Sequence, residues 1–168
     1  TRQLSFERVG RASISGAEVV SYFHAERSIL VAGTDGLTIA RLAPNGSIAP
    51  KRLEYLESFG GGAFAGGSMT HVATEAGGLG AVCLVPPNFA LTRGVVALVD
   101  AASGLEGAWA SVGYNPDCCV FASHSNLLVV ANEGQPFVAA DGRVVDPPGS
   151  ISIVPVFGKA DEHGEIPA

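Results

Sequence analysis

The densest set of chemistry-bearing residues is Asn132-Glu133-Gly134-Gln135-Pro136, followed by Asp141 and then by Asp146-Pro147-Pro148-Gly149-Ser150. Side-chain oxygens gathered on one loop between two strands suit a hard cation such as calcium, which tolerates irregular oxygen geometry. The same residues suit a loop stapled by its own hydrogen bonds, because Asn, Asp, Gly and Pro are what tight loops are made of. Both possibilities share one geometric requirement. Asn132 and Glu133 leave one strand as Asp146 approaches the next, so the two ends of the loop must converge. The regular alternation of an EF-hand loop is missing.

The other reactive residue types are scattered. His24, His71, His124 and His163 make no His-Glu-x-x-His pair and no other zinc spacing. His24 and His124 fall at matching places ahead of the Ile29 and Leu127 runs, which a repeat explains without catalysis. Cys118 and Cys119 are neighbours in a strand, so their side chains point to opposite faces and only one can reach Cys83. Buried free thiols or one disulfide both fit that constraint. Asn45-Gly46-Ser47 is an N-glycosylation acceptor for a protein on a eukaryotic secretory route, and it sits in a turn. There is no Gly-x-Ser-x-Gly elbow and no dinucleotide fingerprint. Gly60-Gly61-Gly62 lacks the Lys-Ser/Thr that would cradle phosphate.

Composition bounds what can position these residues. The 168-residue chain is 47% hydrophobic and only 15% charged, which excludes disorder and coiled coil. Its net charge of −6, with no run of Lys or Arg, argues against nucleic acid as a partner. The longest apolar stretches are about eight residues, where a membrane helix needs about 20. The chain starts at Thr1 without Met, so a removed leader or a longer precursor is expected.

With 22 Gly and 10 Pro punctuating short β-branched runs, the pattern is all-β, with many strands and tight turns. Ser28 to Gly33, a Thr34-Asp35-Gly36 turn and Leu37 to Leu42 form a hairpin. The pattern recurs at Gly80 to Val85 with Gly94 to Asp100, and at Asn126 to Ala131 with Gly149 to Val156. A strand precedes each hairpin: Ala17 to Phe23, Ser68 to Ala73 and Cys118 to Ala122. First hairpin strands begin at Ile29, Ala81 and Leu127, a period of about 50 residues, which is the signature of a propeller blade. The chain therefore reads as one partial domain over 1–168, with three antiparallel units near 17–58, 68–107 and 116–158. It is an incomplete β-propeller, because three blades cannot close a ring. Helix is expected to be almost absent, with at most a turn or two at Lys51 to Ser58. The open ends of such an arc would seek partners.

Leu127 to Pro136, followed by Val145-Asp146-Pro147-Pro148-Gly149-Ser150-Ile151-Ser152-Ile153, resembles the choice-of-anchor I family motif V-A-N-E-G-E-P, short loop, D-P-E-G-S-V-S-I. Tyr55 to Gly62 and Asn115-Pro116-Asp117 resemble further family segments, so the likeness covers about Ala17 to Gly158. It implies an extracellular or cell-surface β-propeller, part of a seven-bladed ring, acting as a scaffold or binding module. The remaining blades would lie on the same precursor or on another chain. Many family members are labelled alkaline phosphatase, so the alternative implied is a metal-dependent phosphoesterase. The chain departs from the motif at Gln135 and Pro148, where the family has Glu, and at Val85-Pro86-Pro87, where it tends to have an acidic residue. Asn132, Glu133, Asp146 and Asp117 remain as the set for calcium or for a loop staple.

Overall fold

The computed structural model describes residues 10–104, 106–122 and 125–156, and for residues 51–53 and 106 the backbone alone. His124 and His163 lie outside the described residues.

Four strands pair antiparallel in chain order to make the first sheet: β1 (Ala17–Phe23), β2 (Ser28–Gly33), β3 (Gly36–Leu42) and β4 (Ile48–Tyr55). The second sheet repeats the plan with β5 (Ser68–Thr74), β6 (Leu79–Val85), β7 (Val95–Asp100) and β8 (Glu106–Ser111). The third opens with β9 (Pro116–Phe121) and β10 (Leu127–Asn132). A small hairpin of β11 (Phe137–Val138) and β12 (Val144–Val145) follows, and β13 (Ser150–Pro155) then pairs back onto β10. Among the described residues this third sheet ends at β13.

The inner strands β2, β3, β6 and β7 are covered on both faces, so they are near-continuous apolar runs rather than alternating ones. Gly36 closes the first hairpin at φ +138°, and a Cβ there would collide with the Glu54 carbonyl oxygen of β4. The helical turn expected at Lys51 to Ser58 forms only from Leu56 on. Residues up to Tyr55 are instead drawn into β4, because β3 offers them a free edge (Ile39 opposite Arg52, Leu37 opposite Glu54). A short 3-10 turn, Leu56–Gly62, follows, interrupted by Gly60 and Gly61 at positive φ.

Each sheet's first strand carries one extra residue that bulges out of its ladder: Glu18 in β1, Thr70 in β5 and Asp117 in β9. The bulges align the repeats residue by residue. Val19, His71 and Cys118 are equivalent, and so are the next residues along, Val20, Val72 and Cys119.

The sheets stack face against face. Leu30, Leu37 and Ile39 of the first meet Val72, Val82, Leu84 and Val99 of the second. The opposite face of the second sheet, with Ala73, Ala81, Cys83 and Val96, meets Cys119, Leu128 and Val130 of the third. Full burial of each large aliphatic side chain here stabilises by roughly 1.5–3 kcal/mol before entropy is counted. The first strands lie side by side, β1 against β5 and β5 against β9. Ser21 donates to Thr74 Oγ1 (2.8 Å), which donates to the Tyr22 carbonyl (3.0 Å), and Thr70 donates to the Pro116 carbonyl.

Candidate functional site

Two polar constellations lie where the second and third sheets meet. The first is built on Asn132, the last residue of β10, which pairs with Ser150 of β13. The side chain is 4% exposed. Its Oδ1 accepts the Gly113 N–H at 2.9 Å. Its Nδ2 has two hydrogens to share among the Ser150 carbonyl (3.2 Å), Ser150 Oγ (3.2 Å) and Ser152 Oγ (3.0 Å). One residue on, the Glu133 N–H donates to the Asn115 carbonyl (2.9 Å), and the Gly134 N–H to the Tyr114 carbonyl (3.1 Å). Asn115, held at φ +49°, donates from Nδ2 to Glu133 Oε2 (2.8 Å) and Gln135 Oε1 (3.3 Å). Asn tolerates this left-handed conformation better than most residues. The loop is thus fastened at both ends and to the segment that leads out of the second sheet.

Of the rest of the expected set, Asp146 immediately precedes Pro147, whose carbonyl closes on Gly134. Asp146 is exposed beyond β12, and Asp117 is the exposed bulge residue of β9. Asp141 caps a turn by accepting the Arg143 N–H at 3.0 Å. Among the described residues no three His, Cys, Asp or Glu side chains are grouped to hold a metal ion. Asn132 and Glu133 come together with Ser150 and Asn115, and the contacts in which they engage are hydrogen bonds. Asn45 is exposed in the turn between β3 and β4, its Oδ1 accepting from Ser47 N (3.0 Å) and Ser47 Oγ (2.8 Å).

The second constellation was not anticipated from sequence. His71 and Cys83 are direct cross-strand partners on the face of the second sheet that meets the third. Cys119 reaches them from β9. His71 Nδ1 lies 3.3 Å from the Cys119 backbone nitrogen and 3.5 Å from Cys119 Sγ, and Nε2 lies 3.7 Å from Cys118 Sγ. Cys119 and Cys83 are buried in the same apolar cluster, where the Cys119 thiol also points at the Ala81 carbonyl (3.9 Å), while Cys118 is exposed. All three cysteines are free. Of the neighbours Cys118 and Cys119, Cys119 is the buried one, packed in the cluster that holds Cys83.

The electrostatics follow from this packing. The Cys83 hydrogen bond, followed by His71, brings Cys119 down to about 6 against burial that opposes it. The bond to Cys119, then burial, pushes the Cys83 thiol far up. The bond to Cys119 raises His71, burial opposes, and the charges of Cys119 and Asp117 add to the rise. Burial, then Cys119 and Asp117, raises Cys118. A bare Nδ1 accepts from both the backbone N–H and the thiol of Cys119. Transfer of the thiol proton to Nδ1 gives an imidazolium–thiolate pair at the cost of the backbone N–H bond, because a protonated Nδ1 no longer accepts. A thiol with an adjacent base is the arrangement of an activated sulfur nucleophile. The available signal was the repeat itself, which places His71 where the other units have Val19 and Cys118, and Cys119 where they have Val20 and Val72.

Sheets repeated around adjacent first strands, with a stapled loop at one end, define an all-β repeat module. The chain belongs to the choice-of-anchor I domain family, whose profile matches residues 18–166. No curated protein matches it. The family's name points to a surface-related module.

Proposed function

We propose that the chain is three blades of a larger β-propeller, part of a seven-bladed ring, serving outside the cell or at its surface as a scaffold and binding module. The observation that carries this is a contrast between equivalent positions. Ile151 of β13 stands on the outer face of the third sheet where the second sheet has Val96; Ile151 is 72% exposed and Val96 is 0%. At the other end, Val20 is 63% exposed while its equivalent Val72 is 2%. Residues of blade-interface type thus remain uncovered at both ends of the array, as expected if further blades cover them. Those blades would belong to the same precursor or to a partner chain. Asn45, exposed in its turn, is available as a glycosylation acceptor on such a surface.

The phosphoesterase alternative draws no support from the family match, and Glu133 is already engaged by Asn115. Sedimentation of the purified chain, with a dye that reports exposed apolar surface, tests the scaffold reading. Self-association and dye binding that fall in an Ile151→Lys, Ile153→Lys variant of unchanged circular dichroism are expected. A compact monomer that binds no dye would remove the open-ended array.

A further inference from the structure

The His71–Cys83–Cys119 cluster is not needed for stacking. Valine fills the Cys119 position in both other sheets, and valine also stands at the His71 position in the first. A buried thiol with an imidazole nitrogen 3.5 Å from its sulfur, and a second buried thiol in the same cluster on the strand partner of that histidine, has the parts of a two-cysteine redox site. We propose that Cys119, with His71 as its proton acceptor, is oxidised by small hydroperoxides and is resolved by Cys83, closing a reversible disulfide between the second and third sheets.

The chemistry balances with hydrogen peroxide as the oxidant. Cys119 passes its proton to His71 Nδ1, which gives up the Cys119 backbone N–H to take it, and the thiolate sulfur attacks one peroxide oxygen. The O–O bond breaks, an S–O bond forms, and the departing hydroxide takes the proton from His71 and leaves as water. The sulfur has lost two electrons and is a sulfenic acid. Cys83 sulfur then attacks it, the S–S bond forms, the S–O bond breaks, and the hydroxide leaves with the Cys83 proton as a second water. Two thiols and one peroxide give one disulfide and two waters. Cys83 is suited to this order, because it stays protonated until the sulfenic acid has formed. Cys119 is buried, with half-buried His71 and exposed Cys118 beside it, so a small peroxide is the oxidant to use and a bulky one should react far more slowly.

The groups facing His71 are Cys119, Cys118 and Asp117, with Cys83 its strand partner. Its neighbours hold Cys119 below an ordinary thiol, so a larger share of it is thiolate at mildly acidic pH, an advantage partly offset by the lower nucleophilicity of a low-pKa sulfur.

The test uses the intact chain and hydrogen peroxide. Cleavage after Arg52, Arg93 and Arg143 puts Cys83 on one peptide and Cys118 with Cys119 on another. The expected product is a cross-link between them, assigned by fragmentation to Cys119 and reversed by a dithiol. In Cys83→Ser the reaction should stop at a sulfenic acid that dimedone traps on Cys119. In His71→Gln oxidation at pH 6 should slow by several-fold, the part of the Cys119 shift that His71 supplies, and approach the parent rate at pH 9. A Cys118–Cys119 disulfide, first reaction at Cys118, or no oxidation of any cysteine in the parent chain would each overturn the assignment. The parent-chain mapping requires no variant, so a folding defect in either substitution does not protect the proposal. An unchanged pH profile in folded His71→Gln would remove His71 from it.

Discussion

The Asn132 side chain takes the Gly113 N–H on its oxygen and gives its nitrogen to Ser150 and Ser152, so one buried amide joins the exit of the second sheet to two strands of the third. Removing it leaves the Gly113 N–H facing no acceptor in a site closed to water. Asn132→Ala should therefore cost about 2–3 kcal/mol in chemical denaturation. Asn132→Asp keeps an acceptor for Gly113 but sets a carboxylate against the Ser150 carbonyl, so it should not rescue. Equal stability of the parent and Asn132→Asp would show that the donor half of the amide is idle.

Gly134 and Gly142 separate backbone strain from crowding within the same loop. Both have positive φ, +66° and +79°. A Cβ on Gly142 meets nothing within 4 Å, whereas one on Gly134 collides with the Pro147 carbonyl and the Gly149 nitrogen. Gly142→Ala should cost about 1 kcal/mol, the left-handed penalty alone. Gly134→Ala should cost about 3 kcal/mol or more, because the loop ends must also be pushed apart. Similar melting temperatures for the two variants would contradict the close approach.

The hairpins of β2 with β3, β6 with β7 and β10 with β13 were legible because their apolar runs end on glycine, proline or aspartate and recur at one period. The edge strands β4 and β8 were not. Ile48-Ala49-Pro50-Lys51-Arg52-Leu53 and Glu106-Gly107-Ala108-Trp109 carry charge, Pro or Gly, and pair because a neighbour offers a free edge. The convergence of Asn132 on Ser150 could be inferred from a strand-loop-strand path, while Gly113 as a partner could not. His71 and Cys119 are 48 residues apart and meet only through sheet stacking. The one-residue bulges in β5 and β9 decide which residues face the interface, and no local pattern announces them.

Glu133 decides between a cation and a staple. Its Oε2 already accepts from Asn115 at 2.8 Å, and Asn115 also reaches Gln135 where the family motif has a second Glu. Millimolar calcium should leave the melting temperature unchanged. Glu133→Gln, which keeps an oxygen acceptor on an exposed side chain, should cost under about 1 kcal/mol. A calcium-dependent rise in melting temperature that Glu133→Gln abolishes would establish calcium at this loop instead.

The thiol–imidazole cluster makes stability depend on pH in a defined direction. Cys119 is lowered to about 6 in the folded chain, below an ordinary thiol. A depressed acid contributes stability that is fully present above its unfolded value and is lost as pH falls through its folded one. Cys83 is shifted the opposite way, so ionising conditions above the ordinary thiol range disfavour the fold through it. His71 is raised, and its contribution is complete below its unfolded value and fades as pH rises past the folded one. As pH falls from about 8 to 5 the Cys119 contribution fades while that of His71 grows in, and the comparison with Cys119→Ser follows the thiol. The denaturation midpoint of the parent should therefore exceed that of Cys119→Ser most at pH 8, and the gap should narrow towards pH 5. In parallel, thiolate absorbance near 240 nm should rise with an inflection near pH 6 and vanish in Cys119→Ser. A first thiolate inflection above pH 8, retained in Cys119→Ser, would mean that His71 and Cys83 do not hold Cys119 as the anion.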